Sequence, residues 1–242
     1  MGWQIFTHSV RLVWANLGVA LRISAVLYIV SAIFQVWAQM SGFGTVENGV
    51  PNTEGGGIQL ISTVVSIITS LWIAVAWHRY ILLEEVPEGF LPEWHGARMA
   101  AYFGRSLLIG LAMLGVVLLS ALPMFVGIQG VLGSALVTFG AIFSIFLFYR
   151  VCAVLPSAAM GKPLTMAESW RATEGNTGTI IVLVLCMLVG VFALMLPGAI
   201  LAPISLTLSV VYLVAAQWFI TMFGISIFTT FYGYFIEKRA LG

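Results

Sequence analysis

The chain has 242 residues, of which 61% are hydrophobic and 8% charged, and its mean hydropathy is +1.07. A soluble domain carries about 25% charged residues, so ten basic and nine acidic side chains cannot coat a water-facing surface on 26.2 kDa of protein. A formal net charge of +1 also excludes the basic face that nucleic acid requires. Membrane lipids, anionic ones above all, and other membrane proteins are the expected partners.

The first residues read as an amphipathic helix. Trp3, Phe6, Val10, Val13, Trp14 and Leu17 fall on one face, and Gln4, His8, Arg11 and Ala15 on the other. That pattern predicts an interfacial helix with its apolar face in the acyl boundary. Arg11 and His8 among these aromatics do not make a secretory signal, and Phe6 stands where a myristoylation signal needs Ser or Thr.

Six stretches then meet the length of about 20 apolar residues that a bilayer requires. They run over 18–40, 58–80, 104–126, 131–154, 177–196 and 206–234. The segment Ser41 to Gly57 holds Glu47, Asn48, Pro51, Asn52, Glu54 and Gly55-Gly56-Gly57, and reads as a loop. Pro123 with Gly127 to Gly133 turns the third span into the fourth, and Pro197, Gly198 and Pro203 turn the fifth into the sixth. Gly110, Gly115 and the glycines of 127–140 are expected to let helices approach closely. The long polar connections are 81–103 and 155–176. In the second of these, Thr165-Met166-Ala167-Glu168 forms a capping box, and Trp170 follows as a headgroup-level anchor.

With six spans every Lys and Arg falls on one side, which the positive-inside rule makes cytoplasmic, along with both termini.

At a constant shift of 160 the chain matches itself. Ser9, Arg11, Asn16 and Gly18 meet Ser169, Arg171, Asn176 and Gly178. Ser66, Ile67 and Thr69 meet Ser226, Ile227 and Thr229, and His78-Arg79 meets Lys238-Arg239. The expected fold is an all-α polytopic membrane protein with six transmembrane helices. They form a single domain of three parallel pseudo-repeats, 1–85, 86–160 and 161–242, each opened by a cytoplasmic interfacial lead helix.

This plan of lead helices such as SVRLVWANLG and ESWRATEGNTG, each followed by paired spans, resembles a group of bacterial inner-membrane proteins. The group includes the YciC-like proteins and the membrane domain fused to some glycerophosphodiester phosphodiesterases. The resemblance implies a multi-pass protein of the inner, cytoplasmic membrane. No phosphodiesterase domain is present, so no catalytic residue carries over.

Three sets of residues stand out. Arg22, Arg79, Arg105 and Arg150 each lie a turn or so inside the basic end of a span, with His78 beside Arg79. They form an arginine belt that reads as a set of sites for anionic headgroups or an anionic solute, or as topological anchors. Glu84, Glu85, Glu88 and Glu93 with His95 match no metal motif, and charge balance against the arginines is their expected role. Inside the spans, Gln35, Gln217, Ser66, Thr69, Ser226 and Thr229 are polar groups that bond across helices or line a pathway.

The chain contains no Asp, so no Ser-His-Asp set exists, and neither a P-loop nor a metal spacing at Cys152 or Cys186 appears. No catalytic residue, cofactor or metal is expected. The residues point to a non-enzymatic membrane scaffold or accessory protein that organises lipids or partner membrane proteins. A transporter or channel for a lipid or small apolar solute is the alternative.

Overall fold

The computed structural model describes residues 1–47 and 50–241; Asn48 of the expected loop lies outside the described residues. Nine helices form among the described residues: α1 (Gly2–Ala15), α2 (Leu17–Met40), α3 (Gly56–Leu83), α4 (Gly96–Phe125), α5 (Gly130–Val151), α6 (Val154–Met160), α7 (Met166–Ala172), α8 (Thr177–Leu201) and α9 (Leu206–Phe235). Between α2 and α3 the loop folds back as a two-residue antiparallel ladder, β1 (Val46–Glu47) against β2 (Val50–Pro51), with Val46 opposite Pro51.

Helices α2, α3, α4, α5, α8 and α9 are the six that are long and apolar enough to cross a membrane, so the chain is an all-α multi-pass membrane protein. They pair as antiparallel hairpins, α2 with α3, α4 with α5 and α8 with α9. Both termini, the connection from α3 to α4 and the connection from α5 to α8 therefore meet at one end, called here the basic end. Helices α3, α4 and α9 have 28, 30 and 30 residues. At about 1.5 Å per residue they exceed a hydrocarbon core of about 30 Å by roughly a third or more.

Packing concentrates toward the basic end. Val75, Trp77 and His78 of α3, Ile180 and Leu183 of α8, and Met222, Ile227 and Phe231 of α9 are fully buried there. Toward the opposite end the spans expose Ile33, Leu60, Leu119, Phe139, Phe192 and Val211. Hydrocarbon is a favourable neighbour for such side chains, so these halves need little protein around them.

Several local expectations change in the structure. The connection 155–176 does not stay polar: Val154 to Met160 form α6, every residue of which is buried among α3, α4 and α9. Small side chains at Ser157, Ala158 and Ala159 allow that insertion. The helix ends at Gly161 with φ of 74°, and the missing Cβ leaves room for the Arg98 guanidinium. Pro123 and Pro197 sit inside the last turns of α4 and α8 rather than in the loops. Around Pro197 the carbonyls of Leu194 and Gly198 also accept from Tyr212 Oη at 3.0 Å and Ser209 Oγ at 2.8 Å, which ties α9 to the end of α8. The sixth span begins at Ser205, whose side chain accepts from the Leu208 amide, and runs on as one helix.

The lead helices differ from one another. On α1 the buried stripe is Gly2, Ile5, Ser9 and Val13, packed on α8 and α9, while Trp3 and Trp14 are exposed. The apolar side thus splits between protein and surroundings. The segment before the third span is α7, with both halves of its capping box formed. The middle segment has no separate lead, because Gly96 to Phe125 is one helix. At the first repeated match, Asn16 and Asn176 cap α2 and α8 with φ, ψ of −116°, 26° and −106°, 25°, and Ser9 and Ser169 are both buried. The second match does not align in depth, since Ser66 lies deep within α3 and Ser226 nearer the basic end of α9. Lys238 and Arg239 lie beyond α9, whereas His78 and Arg79 are helical.

Of the glycines expected at close contacts, Gly140 is one: a Cβ there would collide with the Ser120 side chain of α4. Gly110 and Gly115 face open space instead. Replacing Gly140 by Val should destabilise the α4–α5 hairpin by about 1–3 kcal/mol. Gly110→Ala should be neutral. Unfolding midpoints in mixed detergent micelles measure both, and equal losses would contradict this packing.

Candidate polar site at the basic end

The belt arginines are turned inward, and each clamps a connection. Arg22 Nη1 donates to the Pro87 carbonyl at 3.3 Å. Arg79 Nη1 donates to the Ala159 carbonyl at 3.2 Å, and its Nη2 pairs with Glu85. Arg105 Nη1 donates to the Val154 carbonyl at 3.0 Å and to Ser157 Oγ at 2.8 Å. Arg150 donates to the Thr173 carbonyl, to Thr173 Oγ1 and to Thr177 Oγ1. Its guanidinium carbon lies 5.4 Å from the Phe146 ring centre and 5.3 Å from that of Trp170. Trp170 therefore sandwiches a buried cation besides being part-exposed. These guanidinium groups add charged hydrogen bonds to carbonyls at helix ends and connections, and a charged donor bonds more strongly than a neutral one.

His78 is fully buried at the meeting of three helices. Its Nδ1 lies 2.8 Å from Thr229 Oγ1 on α9, and its Nε2 3.4 Å from Tyr102 Oη on α4. Thr229 gives its one hydroxyl proton to the Ile225 carbonyl at 3.0 Å. That assigns the imidazole proton to Nδ1, donating to Thr229, and leaves Nε2 to accept from Tyr102. Beside this set, Ser9 Oγ of α1 meets Thr230 Oγ1 at 3.0 Å.

The other intramembrane polar residues separate into three groups. Gln35 Nε2 donates to Ser31 Oγ at 2.9 Å and to Ser66 Oγ at 3.3 Å, tying α2 to α3. Thr69 bonds back to the Val65 carbonyl at 2.9 Å and Ser226 to that of Met222 at 2.8 Å, within their own helices. Gln217 is exposed on α9. Cys152 is fully buried.

A cavity of about 490 Å³ opens where α1, α3 and α9 meet the C-terminal residues. Leu12, Ile81 and Leu241 give it an apolar wall, and His8, Tyr80, Glu84, Thr229 and Arg239 a polar one. Tyr80 Oη donates to Asn16 Oδ1 at 2.7 Å, which fixes the ring against the start of α2. Arg239 Nε pairs with Glu237 at 2.6 Å, and Nη2 donates to the Leu82 carbonyl at 3.2 Å. A small amphipathic molecule fits this combination of surfaces. Comparison with protein-family models, with curated proteins and with solved structures finds no match for this chain. The geometry alone therefore carries the functional reading. His8 and Arg239, which complete the cavity, were not singled out by sequence reasoning as a pair. They stand at opposite ends of the chain, and only the packing of α1 on α9 joins them.

Of the acidic stretch, Glu85 joins the belt. Partial burial works against its charge, but hydrogen bonds from Arg79 and His95, and their charges, outweigh this and hold its carboxyl below the usual glutamate range. A depressed pKa means the folded state favours the ionised form. The stabilisation is fully present above the ordinary value of 4.5 and is lost as the pH falls through the lowered one. Glu85→Gln should lower stability at neutral pH and flatten the loss on acidification. Thermal midpoints between neutral and strongly acidic pH measure both, and parallel pH profiles for the two chains would contradict the clamp.

Proposed function

We propose that this chain is a non-enzymatic membrane scaffold or accessory protein that organises lipids or partner membrane proteins, with the cavity between α1, α3 and α9 holding the headgroup of an anionic phospholipid. The observation that carries this reading is the cavity itself, with His8, Tyr80, Arg239 and the carboxylate of Glu84 on one wall and Leu12, Ile81 and Leu241 on the other. It lies at the basic end, which the positive-inside rule assigns to the cytoplasmic face together with both termini, and the membrane is a bacterial inner membrane if the resemblance holds. Two further grooves support a lipid-binding surface. One runs between α2 and α9 along Ile33, Trp37 and Val214, the other between α5 and α8 along Phe139, Phe143 and Leu188. Both are almost wholly apolar and suit acyl chains.

The belt arginines serve in this reading as internal clamps rather than as headgroup ligands. The alternative, a transporter or channel for a lipid or small apolar solute, is favoured by the exposed amide of Gln217 on a spanning helix.

Native mass spectrometry of the chain extracted from mixed phosphatidylglycerol and phosphatidylcholine nanodiscs tests the proposal. The chain should retain phosphatidylglycerol in preference, and Arg239→Gln should cut that preference about fivefold, equivalent to about 1 kcal/mol for one cation near the headgroups. Arg150→Ala should lower stability and leave the preference intact. An unchanged preference in Arg239→Gln would overturn the site. Lipid flux across liposomes that requires Gln217 would favour the transporter instead.

A further inference from the structure

The connection from α3 to α4 holds its side chains more firmly than its sequence suggests. Arg22 reaches from α2 to the Pro87 carbonyl at 3.3 Å, and Trp72 Nε1 of α3 donates to the Glu93 carbonyl at 3.2 Å. The Trp72 and Trp94 rings meet edge to face at 4.7 Å, and Pro87 and Pro92 are buried. Held in this way, Glu85, Glu93 and His95 converge, with one donor atom from each lying within 4.8 Å of the others. His95 Nε2 is 2.6 Å from Glu85 Oε1 and 3.9 Å from Glu93 Oε2.

We propose that Glu85, Glu93 and His95 bind a divalent transition-metal ion, zinc by preference. Two carboxylate oxygens and one imidazole nitrogen are a ligand set that such ions favour, and three protein ligands leave a fourth position for water or an incoming group. Ligand atoms placed tetrahedrally about 2.0–2.2 Å from zinc lie roughly 3.3–3.6 Å apart. The two separations from His95 bracket that range. Binding lengthens one and shortens the other, and the ion takes the place of the imidazole proton between His95 and Glu85.

Glu85 divides its oxygens between two tasks. Arg79 holds Oε2, which orients the carboxylate as an outer-shell partner does, and Oε1 faces the histidine. Glu88 lines the same cavity of about 450 Å³, which Glu85 and Glu93 also border, so the ion has both an acidic approach and space for a water ligand. Magnesium and calcium fit less well, because they need more oxygen ligands and do not favour imidazole.

The site is independent of the lipid cavity and of the function proposed for it. Its test uses the full-length, tag-free chain in detergent, titrated with Zn²⁺ by calorimetry and with Co²⁺ by visible absorption. One ion per chain is expected, with the intense bands of four-coordinate Co²⁺. Glu93→Gln and His95→Gln should each weaken binding by more than the roughly 10–100-fold typical of losing an outer-shell partner. Glu93 is mostly exposed, so its replacement leaves the fold intact, and an unchanged elution profile checks this. Absence of stoichiometric binding, or equal affinity in the parent and the Glu93→Gln chain, would overturn the site. So would preferential binding of Mg²⁺ or Ca²⁺.

Discussion

The structure depends on arginine side chains that tie the broken segments of chain to the spans inside the packed end of the bundle. Between α5 and α7 the chain stops being helical, forms the short α6, and stops again at Gly161 while α3, α4 and α9 surround it. In such surroundings a hydrogen bond from a charged donor is stronger than one from a neutral donor. Arg105 and Arg79, from the two flanking helices, reach Val154 at the start of α6 and Ala159 near its end. Arg150 does the same for the end of α7 through Thr173. The result is a rigid floor at the basic end, on which the spans stand.

That arrangement decides which charges remain to face outward. The central arginines spend their donors on internal carbonyls and, for Arg79, on Glu85. The cations that border open space are instead those at the rim, among them Arg239, brought to the cavity by the turn after α9 in which Lys238 adopts φ of 57°. The acidic connection from α3 to α4 is tied to the same floor through Arg79 and Glu85. Arg79 thus joins two features that look unrelated along the chain: the end of α6 and the convergence of Glu85, Glu93 and His95.

The apolar halves follow a different rule. There the helices pair in hairpins with few further neighbours, and contacts such as Gly140 against Ser120 or Gln35 against Ser66 set their spacing. Hydrocarbon does not drive helices together as water does, so small residues and hydrogen bonds carry the association. The side chains that remain exposed form shallow apolar grooves rather than a second core.

Composition and hydropathy alone determine the six spans, their alternation and the gathering of every Lys and Arg at one end, because each follows from the free energy of placing single side chains in oil or water. The capping box at Thr165 and Glu168 was equally legible, since its partners lie three residues apart. What only the tertiary structure decided is what those polar groups touch. Nothing local marks VLPSAAM as a buried helix rather than a connection, or distinguishes Arg150 bound to Thr173 from an arginine facing headgroups. The convergence of Glu85, Glu93 and His95, and that of His8 with Arg239, likewise depends on loop closure and on α1 lying against α9. Solvent preference is a property of each residue and can be read one position at a time. A partner is a property of two residues at once, and it exists only when the chain has brought them together.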